Sequence, residues 1–284
     1  MADLWRDLLD CLDLTPCGES SHDGRSQQLG YHRLFGGQLL AQFVRAAALS
    51  CPNKTVKSLH VVFARAGHTG DPVRYDVTRH HEGGTFATLS ITARQQDAAI
   101  ATASVSMHTA EDGLDRQTTT EVPEIPTTRV ALDLIPWETR CAADLDATAA
   151  ATPEIDLWMR TPPVDAAFAQ ALTAYATDLT LIGTALRHLD GVSQQDAGTA
   201  FSSAVTTHTL WFHRPFHTED WLLLHQHSPL LAHGRCFGRG DVLTADGALV
   251  ASYAQEALLR FRLPGFLVRG SRPGESAGVE VDGG

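Results

Sequence analysis

Residues 35–50 read FGGQLLAQFVRAAALS, and residues 85–95 read TFATLSITARQ. In the first stretch Phe35, Leu39, Phe43 and Ala47 recur at helical spacing, with Leu40 and Val44 beside them. That pattern predicts a largely buried helix. In the second, Ala87, Leu89, Ile91 and Ala93 alternate with Thr88, Ser90, Thr92 and Arg94, which predicts a strand with one buried face. Three further strand-like segments lie around residues 56–65, 72–81 and 99–109, and the breaks between them include GHTGD and HEGG. A polar loop, about residues 18–34, leads into the helix. One helix followed by four strands is therefore the unit of the first half.

The second half repeats it. Phe168, Leu172, Tyr175, Leu179, Ile182 and Leu186 step by four and three, predicting one long helix with a strong apolar stripe. Four strands are expected after it, around residues 205–214, 220–228, 234–244 and 248–260, the last entered through the turn ADGA. Between the halves the chain turns rich in Pro, Thr and acidic residues, as a long surface connector would be. The expected organisation is a first unit over residues 1–115, a connector over 116–155, a second unit over 156–263 and a mobile tail over 264–284. The fold class is α+β, two helix-plus-antiparallel-sheet units in tandem. Packed edge to edge, the two sheets would bury strand edges that each unit alone leaves open.

Composition narrows the function. Of 284 residues, 33 are acidic and 22 basic, for a net charge of −11, so nothing draws the chain to nucleic acid or to anionic lipid. Only Lys54 and Lys57 are lysines; the other basic residues are arginines, which suit bidentate contacts to phosphate. The cysteines Cys11, Cys17, Cys51, Cys141 and Cys236 are scattered and odd in number. That argues against a disulfide framework and fits a reducing cytoplasm. None of the 14 histidines falls in a metal-ligand spacing, and no metal is expected. MADLWRDLLDCLDL is an acidic amphipathic stretch rather than a signal peptide. No apolar run is long enough to span a bilayer.

Seven segments occur in an order that resembles the TesB-like type II acyl-CoA thioesterases. They are FGGQLLAQ at residues 35–42, SLHVVFARAG at 58–67, AYATD at 174–178, LWFHRPF at 210–216, DWLLL at 220–224, GRCFGRG at 234–240 and DGALVASYAQEALLR at 246–260. The resemblance covers most of the chain. It implies a double hotdog, two helix-wrapped antiparallel sheets joined into one continuous sheet. It further implies hydrolysis of acyl-CoA to free acid and CoA, no cofactor, and a homo-oligomer.

The family's site uses an Asp, a Ser or Thr, and a Gln to hold and activate a water. By resemblance these fall on Thr207, Ser228 and Gln255. Thr207 thus stands where the family has its acid, and a threonine hydroxyl can orient a water but cannot take its proton near neutral pH. This departure opens a second reading, a catalytically weak acyl-CoA-binding or regulatory protein. Gly84 is another departure, at a place where the family tends to carry a basic residue. A third reading, a hotdog enzyme of other chemistry such as an enoyl-CoA hydratase, lacks a recognisable Asp/His motif.

Thr207 shares a strand face with Thr209, Trp211 and His213, so His208 is expected to point away from the site. His208 and His213 are read as structural, and so is Glu256. Gly36 and Gly37 open the first helix, where free amides could meet a carbonyl or phosphate oxygen of substrate. Asp178 is the nearest substitute carboxylate.

Overall fold

In a computed structural model the described residues are 4–30, 33–118 and 121–262. Helix α1 (Leu4–Leu12) leads through the short strands β1 (Thr15–Pro16) and β2 (Ser21–Gly24) to helix α2 (Gly36–Ser50). Strands β3 (Thr55–Phe63), β4 (Val73–Glu82), β5 (Phe86–Gln95) and β6 (Ala98–His108) follow, all four expected from the alternation. The second half contains β7 (Glu138–Cys141), β8 (Glu154–Arg160), helices α3 (Ala169–Thr177) and α4 (Leu181–Leu186), and strands β9 (Phe201–Phe212), β10 (Leu222–Ala232), β11 (Arg235–Thr244) and β12 (Leu249–Phe261).

The strands form a single 12-stranded antiparallel sheet in the order β1-β2-β4-β5-β6-β3-β9-β12-β11-β10-β8-β7. The halves meet at β3 and β9, where Leu59 lies opposite Leu210 and Val61 opposite His208. Each half therefore closes the edge of the other, and the double hotdog is one sheet wrapped around α2 on one side of the seam and α3–α4 on the other. Tyr75, Leu59, Leu89, Ile91 and Leu210 lie on the inner, helix-covered face, with Phe43 of α2 packed against Tyr75, and all are shut off from solvent. Each large apolar side chain so buried contributes about 1.5–3 kcal/mol.

Three expectations are corrected. The expected connector is not bare: β7 lies within it and β8 begins in it, and both pair onto the outer edge of the second half. Likewise the polar loop at 18–34 includes β2, which pairs with β4. These strands are short, and too few residues alternate for a period to show. The third correction concerns the long second helix, which is broken in two. Thr177 turns its hydroxyl onto the Ala174 carbonyl, Asp178 closes α3, and Thr180 precedes α4. Thr and Asp are weak helix formers because their side chains compete for backbone groups, yet the apolar stripe runs through the break and conceals it. The tail from residue 264 lies outside the described residues.

Candidate active site

Gln255, on β12, pairs in register with His208 on β9, and His208 pairs with Val61 on β3. Directly paired residues share a sheet face, so all three point inward. Gln255 is 2% exposed and His208 fully enclosed. The His208 ring is anchored at both nitrogens. Nδ1 lies 2.9 Å from Gln255 Oε1 and Nε2 lies 3.1 Å from Thr177 Oγ1. An amide oxygen only accepts, so Nδ1 carries the ring proton and donates it to Gln255, and the bare Nε2 shares the single Thr177 hydroxyl hydrogen with the Ala174 carbonyl. Burial lowers the His208 pKa to about 4, and the ring is neutral at physiological pH. Gln255 is thereby held by its oxygen, while its carboxamide nitrogen has no partner among the described residues.

The break between α3 and α4 drops Asp178 onto this pair. Its Oδ1 lies 3.9 Å from His208 Nδ1, too far for a hydrogen bond, and has no hydrogen-bond partner. The carboxyl group is 94% buried, and among the described residues it is the one buried acid. Burial raises its pKa to about 7, against the lowering effect of the Gly37 backbone N–H, which hydrogen-bonds to it. That amide belongs to the first turn of α2, where the helix end favours negative charge. The group met by the α2 N-terminus is therefore the chain's own carboxylate.

Gly36 and Gly37 make this approach possible. A Cβ on Gly36 would stand 2.6 Å from Asp178 Oδ2, and one on Gly37 would stand 2.4 Å from the Tyr175 carbonyl oxygen. The first half thus supplies the wall against which the second half's acid is set. A neighbouring buried group joins Gln226 of β10 to Thr180 and Thr184, with Thr180 Oγ1 at 2.9 Å and Thr184 Oγ1 at 3.2 Å from Gln226 Oε1. Gly238, paired with Gln255, lets α4 sit close: a Cβ there would come 2.7 Å from Leu181 Cδ2.

Gln255, Asp178, Gly36 and Gly37 are brought together, and His208 joins them. Thr207 is not among them. It lies opposite Glu256 and Val62, and Val62 is 42% exposed, so Thr207 is on the outer face. The expectation that Thr207 lines the site and His208 points away is reversed. Strand parity separates the two residues correctly, but parity alone does not say which face is inside. A usable signal was present, because His208 shares its face with the apolar Leu210 and Phe212. Ser228 is fully buried and donates to the Phe237 carbonyl at 2.8 Å. Its hydroxyl is spent within the sheet, with no described contact to Gln255 or Asp178. Gly84 sits in open space. His213 contacts Ser252 on the outer face, and Glu256 pairs there with Arg235.

Among the described residues no cluster of His, Cys, Asp and Glu could hold a metal ion, and no helix is long and apolar enough to cross a membrane. Two family models match, the acyl-CoA thioesterase N-terminal domain over residues 23–108 and the acyl-CoA thioesterase C-terminal domain over residues 110–259. Acyl-CoA thioesterase 2 of Haemophilus influenzae is 30% identical, the match covering 92% of this chain and 99% of that protein. The crystal structure of an acyl-CoA thioesterase II, TesB2, from Mycobacterium marinum superposes with a TM-score of 0.76 at 29% identity, covering 91% of this chain and 100% of the other. A hot dog fold protein from Alicyclobacillus acidocaldarius superposes with a TM-score of 0.72 at 20% identity, covering 90% and 98%; that likeness bears on the fold.

Proposed function

The chain belongs to the acyl-CoA thioesterase family, and we propose that it hydrolyses fatty acyl-CoA to a free fatty acid and CoA, a reaction of lipid metabolism. The observation that carries this reading is the convergence of Asp178 and Gln255 on the inner face, each with one unused hydrogen-bonding atom. Thioester hydrolysis needs an acceptor for a water proton and a donor for the carbonyl oxygen, in a place shielded from bulk solvent. The names of the relatives support the substrate class. The alternative of a catalytically weak acyl-CoA-binding protein rests on Thr207 in the family's acid position; the buried Asp178 beside Gln255 favours hydrolysis. A hydratase reading could now point to Asp178 and His208, but both nitrogens of His208 are already engaged by Thr177 and Gln255.

The direct test is thiol release from saturated acyl-CoA thioesters of graded chain length, with binding followed in parallel by thermal shift. Turnover that depends on chain length is expected. Binding without thiol release would sink the enzyme reading.

A further inference from the structure

We propose that Asp178 is the general base of this hydrolysis and that His208 is the positioning residue that aims Gln255 at the same point. The inference rests on the thioesterase reading above and adds who takes the proton.

Three observations lead to it. Asp178 Oδ1 is enclosed and has no partner, although a buried carboxylate oxygen left unpaired is costly. A water molecule is the natural donor to such an atom, and a water held there is the nucleophile. Second, the Gly37 amide and the bare Cα of Gly36 hold the carboxyl group from its other side, so it is not free to swing away. Third, Gln255 is fixed through its oxygen by His208, which leaves an N–H of its carboxamide to donate to a thioester oxygen. No residue of β9 competes for the role, because the position with acid character in the family is the outward-facing Thr207 here. The titratable groups facing Asp178 are His208 from β9 and Tyr175 from α3. From α2 it is faced by the uncharged Gly36 and Gly37.

The step balances without any further reactant. Asp178 takes a proton from water as its oxygen bonds to the thioester carbonyl carbon. The carbonyl oxygen gains the electron pair and accepts the hydrogen bond from Gln255 Nε2. When that pair returns, the C–S bond breaks and the CoA sulfur leaves, taking the proton from Asp178. The products are the fatty acid and CoA thiol, and the carboxylate is restored.

The test is kcat against pH for wild type, Asp178→Asn and Thr207→Ala, with acyl-CoA binding by each measured by thermal shift. Wild-type kcat is expected to rise with pH through about 7, since only the ionised carboxyl accepts a proton. Asp178→Asn should keep binding and lose about 10²–10⁴-fold in kcat, together with the rising limb. Thr207→Ala should keep both rate and limb. An Asp178→Asn protein with wild-type rate, or with the same limb, overturns the proposal while leaving the thioesterase reading intact. A wild type that releases no thiol overturns both. Should Asp178→Asn fail to fold, the wild-type profile still decides, because a flat line across that range leaves no titrating base.

Discussion

Asp178 Oδ1 stands 3.9 Å from His208 Nδ1 inside the protein, and burial moves the two pKa values towards each other's usual range, the acid up to about 7 and the imidazole down to about 4. Each shift keeps its group neutral where it would be charged in water. An acid that titrates near neutrality is partly ionised at physiological pH, and its ionised form can accept a proton.

These shifts have opposite consequences for stability. Asp178 releases its proton near 3.8 when unfolded and near 7 when folded. Between those values the folded state holds the extra proton, so this group's contribution falls as pH rises through 7. His208 behaves the other way. Its contribution is present above the unfolded value of 6.5 and is lost as pH falls through about 4. Asp178→Asn is therefore expected to be more stable than wild type at pH 8 by at most about 4 kcal/mol, and to lose that advantage near pH 4. Denaturant melts across pH check this; an advantage independent of pH would contradict it.

Gln255→Ala removes both the candidate donor and the acceptor of the His208 proton. The expected loss in kcat is about 10²-fold, the scale for one such donor, with KM little changed. Leaving His208 Nδ1–H unpaired should also cost about 1–3 kcal/mol of stability. Steady-state kinetics and a melt on the same sample separate the two effects. Unchanged turnover in the folded variant would remove Gln255 from the site.

Thr207→Asp would restore the residue type that the family resemblance leads one to expect. On the outer face, beside Glu256, the new carboxylate meets a like charge and no substrate. Activity is expected to stay within about threefold of wild type, well short of the 10²–10⁴-fold range of a gained base. Stability should drop slightly, by roughly 0.2–1 kcal/mol for like charges opposite each other. A tenfold rise in thiol release would show that Thr207 does reach the chemistry.

Gly37→Ala tests the contact between the halves. The added methyl meets a backbone oxygen at 2.4 Å and the Phe35 ring at 2.5 Å, and the oxygen cannot turn aside. A loss of about 1–3 kcal/mol is expected, along with reduced turnover because the Asp178 wall shifts. Gly84→Ala, with nothing within 4 Å, should leave both melting temperature and rate unchanged. Equal effects of the two substitutions would mean that the crowding at Gly37 is readily relieved.

The two-unit plan, eight of the long strands and helix α2 could be read from the chain alone, because alternation and helical spacing are local and each long element repeats its period several times. The motifs around them also single out Gln255, Asp178 and the Gly36–Gly37 pair as candidates, and the fold brings them together. The enclosure of His208 beside them was not expected. Parity along β9 divides His208 from Thr207 whatever the fold, and Leu210 and Phe212 mark the His208 side as the more apolar, but the pairing of Gln255 with His208 places that side inside. The break at Asp178 was hidden for a related reason. The apolar stripe from Phe168 to Leu186 is buried on both sides of the break, α3 against α2 and α4 against β10 and β11, so the pattern continues where the helix stops. Thr177 and Asp178 stop the helix there, and Gly36 and Gly37 arriving from the other half enclose the acid, a contact spanning more than a hundred residues of chain that no local pattern contains.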